Sequence, residues 1–488
     1  MDGGGAGSGW NLGSETTIGS IFVGSANAGG DFSADGIIDE LIIRDEPQPP
    51  PMPTSTATPG PATATPAATL PSGSGGITDP DLIVTPAALP LQPVGTPFVD
   101  PVFDITLRRV SNTSDSGGFE TQIYNQLQAF SSDNVYLLLD GSNGFVIRRV
   151  SDLSLVTGLD TSGWNDPRWH PAQPHVMIHF DSNDDTTLRV QHTNVDTLQT
   201  TTIFTFPVQY ERIRVPQSFD EVSEDGRWLA GMVSRNDEVQ VIFALDLQNL
   251  TLGAELSIPD LYAGPCAPDP VWGEVEPDWV GVSPLGNYLV VQWVRAGTAR
   301  CSGLETFDIQ TGAFAGRVTD NPRHGDLGVD SDGATEFFMT TELSSPADPN
   351  LPAIAMHQLP GTSTVSLPIY LQVVDWSDED HISCRGPNGV CLISWGILGD
   401  TYDFAFKNEL FLQYTDGSVL RLVHHRSSKC GYWVQPRASI SRDGRYVVFA
   451  SDWGRQLDCD DLGRGDPYVI DLAADSPWFF AYLPVIMR

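Results

Sequence analysis

The sequence predicts an all-β chain folded as a seven-bladed β-propeller, and two observations carry that prediction. One is a unit of tight turn plus short apolar strand that occurs seven times along the chain. The other is composition: 47 Gly and 37 Pro in 488 residues, with few segments of helical period, leave little room for an α-rich fold. The unit is clearest at 435–454. Ser441, Asp443 and Gly444 supply turn chemistry there, and the apolar run 446–450 is a buried strand by its aromatic and β-branched residues. Further copies begin near Phe130, Trp169, Val222, Val282, Val329 and Cys384. The turn glycines Gly226, Gly286, Gly333, Gly389 and Gly444 lie 60, 47, 56 and 55 residues apart, a spacing that suits four short strands and their loops per blade.

Taken in order, residues 1–46 hold two strand-like stretches, 18–25 and 35–45. The run Asp35, Gly36, Ile37, Ile38, Asp39, Glu40, Leu41 resembles the closing strands of a laminin-G-like, concanavalin-type jelly roll. That resemblance implies the remnant of a larger domain, because two strands cannot bury a core. No basic and then apolar leader follows Met1, so no signal peptide is legible, and the start reads as a fragment of a longer chain. Residues 47–76 are mostly Pro, Thr, Ala, Ser and Gly, a disordered linker able to span up to ~90 Å at ~3.1 Å per residue. The propeller is expected over 98–477. Its strand at 103–110 should pair with the C-terminal strand around 467–471 and so close the ring. Residues 478–488 form a tail, too short and too interrupted by Pro484 to span a membrane.

The formal net charge is −36, from 62 acidic and 26 basic residues, of which only Lys407 and Lys429 are lysines. Nucleic acid and anionic membranes are poor partners for such a surface. The six cysteines form sequence-local pairs, Cys266 with Cys301, Cys384 with Cys391 and Cys430 with Cys459. Three disulfides and a secreted, extracellular or cell-surface protein are expected. The acidic stretches 181–185 and 458–466 read as solvated loops rather than calcium sites, since Leu462 and Val469 fall where ligands would stand.

In a propeller the innermost strands start at one face of the channel, so residues seven to nine positions before each turn should form a ring. They are Asn125, Gln126, Asn165, Asp166, Phe219, Asp278, His324, His381, Gln435 and Arg437, with Asp220 beside them. One reading is a solvated mouth whose side chains bond neighbouring blades; the other is a binding funnel. Acids and amides gather on one side, while His324, His381 and Arg437 gather on the other. His425, Arg426 and Tyr432, from a segment rich in proton-binding groups, should overhang the same rim.

Across roughly 100–475, the Ser-x-Asp-Gly turn before an apolar strand resembles the TolB-like and WD-type repeats of bacterial propellers. The C-terminal half resembles, more distantly, the propeller oligogalacturonate lyases. In that family a His and a Gln-x-x-His-Pro-His-Pro segment hold a divalent metal. The resemblance matches His381 to the first of these, and Tyr432, Gln435 and Arg437 to the segment. An arginine cannot ligate a cation, so the resemblance implies at most a metal-free enzyme without cofactor. Arg437 would neutralise a uronate carboxylate, His381 or His324 would take the adjacent proton, and Tyr432 would protonate the leaving oxygen. Two functions therefore stand. The first is a monomeric extracellular module that recognises a glycan or protein through the funnel, with Gln435, His425, Arg426, Asp278, Asp220 and Asp166 touching the ligand. The alternative is a metal-independent polysaccharide lyase acting on uronate-containing polymers.

Overall fold

The computed structural model describes residues 75–472, apart from 113–118, 182–186, 219, 322, 364–366, 378–379, 397–400, 429–431 and 456–463. The jelly-roll remnant, nearly all of the linker, the C-terminal tail, the Cys430–Cys459 pair and most of both acidic loops lie outside the described residues.

Seven antiparallel sheets form, one for each predicted repeat. Blade 1 covers 120–149, blade 2 165–205, blade 3 210–257, blade 4 277–319, blade 5 325–373, blade 6 380–424 and blade 7 439–471. The turn that opens each hairpin follows from its residues. In blade 7 the Ser441 hydroxyl donates to Asp443 Oδ1 at 2.7 Å and accepts from the Tyr446 amide at 2.9 Å, while Asp443 also caps the Arg445 amide. Ser223 and Asp225 repeat this geometry in blade 3, and Ser131 and Asp133 in blade 1. Gly226, Gly286, Gly333, Gly389 and Gly444 all have φ between 69° and 77°, the left-handed region these turns need.

The ring closes as expected. Strand Ile105–Arg109 pairs with Asp466–Asp471, Leu107 opposite Ile470, and Pro97–Asp100 adds a fifth strand outside it. An N-terminal strand thus completes the C-terminal blade, which leaves no free edge between first and last. The described part of the lead-in is fastened too. Ile77 bridges Arg421, and the Arg421 guanidinium donates to the carbonyls of Asp79 and Leu82.

Besides that fifth strand, two features depart from a uniform repeat. Blade 1 has three strands rather than four; residues 150–164 run as a loop with one isolated bridge, Arg148 to Leu155. The bore is also closed. Residues after strand Glu120–Gln122 cross it, with Asn125 donating to the Ile382 carbonyl at 2.5 Å and Gln126 to the Gly325 carbonyl at 3.2 Å. Apolar residues fill the spaces between adjacent blades, for instance Leu392, Ile440, Phe449 and Ile470 between blades 6 and 7. Two disulfides, Cys266–Cys301 and Cys384–Cys391, are formed, in agreement with two of the three expected pairs.

Candidate functional site

Four consecutive blades bring side chains to one cluster. His324 precedes strand Gly325–Val329 of blade 5, and His381 lies on strand Asp380–Ser383 of blade 6. Tyr432 opens the 3-10 turn Tyr432–Val434, and Arg437 follows just before the short inner strand Ser439–Ile440 of blade 7. Tyr124 arrives from the segment that crosses the bore. The two imidazoles stack at 4.9 Å and 22°; Tyr124 and Tyr432 approach His381 edge-on at 5.8 and 6.5 Å. The Arg437 guanidinium lies 4.9 Å from the Tyr432 ring and 4.8 Å from Trp433, and Arg464 covers Trp433 at 3.6 Å. His324, His381, Tyr432 and Arg437, drawn from three repeats of the sequence, therefore meet.

Two properties of this cluster are chemically unusual. Arg437 is 1% exposed, yet among the described residues no carboxylate pairs with it; its Nη2 donates to the Gln122 carbonyl at a long 3.5 Å. A guanidinium is always charged, and burying one without an anion is costly. Its backbone is also held at φ 39°, a conformation that costs a residue with a side chain about 1 kcal/mol. His381 is likewise 1% exposed, and neither ring nitrogen has a hydrogen-bond partner among the described residues. Burial, with His324 and Arg437 adding to it, holds its pKa well below the ordinary histidine value, so the ring is neutral with a lone pair available. His324 is oriented through Nδ1, which donates to the Asp380 carbonyl at 2.7 Å.

The other ring positions have different partners. Asp220 is buried and accepts from Arg385 at 2.8 Å; burial pushes its pKa up although Arg385 opposes this. Asp166 pairs with Arg168 and is pushed up to about 6, again chiefly by burial. Asp278 accepts from Gln292 at 2.9 Å on blade 4. His425 is buried, with Nε2 towards the Trp395 carbonyl at 3.3 Å and Nδ1 accepting from the Ser427 amide at 3.0 Å, and burial lowers it to about 4. Arg426 reaches Asp100 at 3.2 Å and the Ala87 carbonyl at 2.9 Å, tying down the lead-in rather than overhanging the rim. Gln435 is half-buried beyond the 3-10 turn. Phe219 lies outside the described residues.

Counting back from the turns names Asn125, Gln126 and Asp220 but misses the other residues that close the bore. Arg385 bonds Asp220 and the Val282 carbonyl and lies 3.7 Å from Asp326, whose other oxygen accepts from the Cys384 amide at 2.6 Å. Gln128 joins Arg385, Ile440 and Glu221, and Arg442 pairs with Glu221 at 2.8 Å. This network makes the centre of the ring a buried polar plug and not an open funnel. Tyr124 and Trp433 were missed as well; each is one residue from a named position and carries no repeat signal of its own.

These observations define the chain as a seven-bladed β-propeller with a histidine and arginine cluster at blades 5, 6, 7 and 1. No protein-family model matches the chain, and no curated protein matches it in sequence. Among solved structures it is similar to an oligogalacturonate lyase from Vibrio parahaemolyticus, at 12% identity and a TM-score of 0.51, over 77% of this chain and 96% of that one. It is similar to an oligogalacturonate lyase in complex with manganese, at 12% identity and a TM-score of 0.50, over 82% of this chain and 98% of that one. TolB from Acinetobacter baumannii aligns at 14% identity, over 59% of this chain and 62% of that one, with a TM-score of 0.33. At 12% identity the likeness to the two lyases shows the fold.

The manganese complex calls for a test of whether this chain could hold such an ion. Among the described residues no group of three His, Cys, Asp or Glu side chains is arranged to hold a metal. His381 instead has the permanent cation Arg437 beside it, which lowers the pKa of the imidazole and would repel a metal ion. The described residues of the cluster do not fit a divalent ion.

Proposed function

We propose that the protein is an exported carbohydrate-recognition propeller whose ligand presents a carboxylate to Arg437. The buried guanidinium, which has no carboxylate partner among the described residues, carries this reading. A uronate carboxylate would take the place of the Tyr432 ring against it. A hydrogen bond to a charged group contributes about 1.5–3 kcal/mol, against about 0.5–2 kcal/mol for a cation–π contact, so the exchange favours the ligand. Tyr124, Tyr432 and Trp433, all half-buried, offer flat faces of the kind that pack on sugar rings. Two disulfides suit an oxidising compartment. Among the described residues no helix is long and apolar enough to cross a membrane.

A second reading, elimination on the bound uronate, is favoured by one observation: His381 is neutral, with both nitrogens unpartnered among the described residues. The lone pair of His381 would take the proton from the carbon next to the carboxylate. The electron pair left behind forms the new carbon–carbon double bond as the glycosidic carbon–oxygen bond breaks, and Tyr432 protonates the departing oxygen. Arg437 would stabilise the negative charge that builds on the carboxylate meanwhile.

Incubation with pectic, ulvan-type and glycosaminoglycan polymers, followed by ultraviolet absorbance and calorimetry, separates the two. Saturable binding without a new chromophore supports recognition alone. An unsaturated product that vanishes in His381→Ala and Arg437→Ala, with an acid limb well below pH 6.5, supports elimination. No binding to any of the three polymers overturns both.

A further inference from the structure

The short first blade has a consequence on its neighbour. Along strand Val176–Asp181 of blade 2, Ile178 and Phe180 pack with Val190 towards blade 3. Alternate residues face blade 1 instead. On that face Met177 joins the core of blade 1 together with Trp169. Farther along the strand the same face turns polar at His179 and Asp181, with Gln191 directly opposite His179 on strand Arg189–Asn194, and blade 1 has no fourth strand to set against it.

The loop that replaces the missing strand makes this face concave. A cavity of about 170 Å³ results, lined among others by Asp160 and Trp164 from the loop and by His179, Asp181, Gln191 and Thr200 from blade 2. Its walls are fixed. The Trp164 indole stacks on His179 at 4.7 Å and 18°, His179 Nε2 shares a hydrogen bond with Thr193 at 2.9 Å, and Thr193 bonds Thr200 at 2.7 Å. The loop is pinned by Thr161, whose hydroxyl donates to the Phe145 carbonyl at 2.7 Å.

The lining selects the ligand. Asp181 is engaged by Arg189 at 3.4 Å and by the Gln191 amide at 3.1 Å, while among the described residues Asp160 accepts only from Ser162; the carboxylate of Asp160 therefore disfavours an anion such as phosphate or uronate. A wall mainly of oxygens and one amide gives no return for burying an apolar molecule. The volume is below the ~300 Å³ at which drug-sized ligands are held, so the occupant is about one ring in size. We propose that this notch binds one neutral pyranose unit, its hydroxyls donating to Asp160 and Asp181 and bonding Gln191 and Thr200. The site is independent of the Arg437 cluster.

The test is an NMR titration of the full chain with methyl β-D-glucopyranoside, methyl β-D-galactopyranoside and methyl α-D-mannopyranoside. At least one should bind saturably, roughly tenfold more weakly in Gln191→Leu, where a hydrogen bond of about 1.4 kcal/mol is lost, and unchanged in Arg437→Met. Asp160→Asn, at an exposed loop position where the amide oxygen still accepts from Ser162, should also weaken binding and decides the matter if Gln191→Leu does not fold. The proposal is overturned if none of the three glycosides binds, if binding is unchanged in both variants, or if calcium chloride saturates the notch while the glycosides do not.

Discussion

Replacing Arg437 by methionine should make the free protein more stable and its ligand binding worse. Methionine keeps most of the volume beneath Tyr432 and Trp433 but removes a charge that has one long hydrogen bond and no carboxylate among the described residues. Lost are two cation–π contacts, at 4.9 and 4.8 Å, each about 0.5–2 kcal/mol. Relieved is the desolvation of an uncompensated buried ion, several kcal/mol even after relaxation; replacing buried ions by apolar residues is often neutral or stabilising by about 1–4 kcal/mol. The balance is a gain of about 1–2 kcal/mol. With about 2.1 cal/mol/K of unfolding entropy per residue over roughly 400 residues, each kcal/mol shifts Tm by about 1.2 °C. Differential scanning calorimetry of Arg437→Met should therefore show a Tm raised by about 1–3 °C, while calorimetric titration with oligogalacturonate loses at least tenfold in affinity. A Tm lowered by several degrees with binding intact would refute the reasoning, since Arg437 would then be a structural residue whose burial is already compensated.

Arg385→Leu should destabilise the ring by about 3 kcal/mol in denaturant unfolding, because it strands Asp220 and Asp326 in the plugged bore; a loss below 1 kcal/mol would mean the plug contributes little. Reducing Cys266–Cys301, a loop of 35 residues, should cost about 4 kcal/mol on chain-entropy grounds, and Cys384–Cys391, of 7 residues, only about 2.4 kcal/mol. Serine variants measured one pair at a time should keep that order. His175 joins blades 1 and 2 through Asp133 at 2.7 Å and Asp196 at 2.6 Å; burial lowers its pKa, but these two partners outweigh burial and raise it overall. A raised native pKa stabilises the protein below the unfolded value of about 6.5 and stops doing so as pH rises through the native one. The wild type should therefore gain stability relative to His175→Gln as pH falls from 8 to 6, and a difference independent of pH would contradict this.

The ring was legible because its signals are local. Ser441, Asp443 and Gly444 make their turn from contacts within five residues, and the apolar run after them can only be a buried strand. The closing strand was legible for the same reason, as an unpaired alternating stretch at one end of the ring. The cluster was legible in part. His324, His381 and Arg437 occupy equivalent places in successive repeats, so the ring symmetry that relates the repeats also gathers the residues. Arg385 was not legible, since its partners Asp220 and Val282 are 165 and 103 positions away, across the bore. Proximity to Tyr432 in sequence puts His425 and Arg426 on the rim. The lead-in captures Arg426 through Ala87 and Asp100, and no repeat pattern announces that contact. Nor does composition reveal that residues 150–164 form a loop where other blades have a strand, which is what shapes the notch on blade 2.

Whether the cluster takes a carboxylate is decided by calorimetric titration of the wild-type protein with oligogalacturonate and with the same oligomer fully methyl-esterified. Arg437 as the anchor predicts at least tenfold weaker binding of the ester. Equal affinity for the two would contradict it.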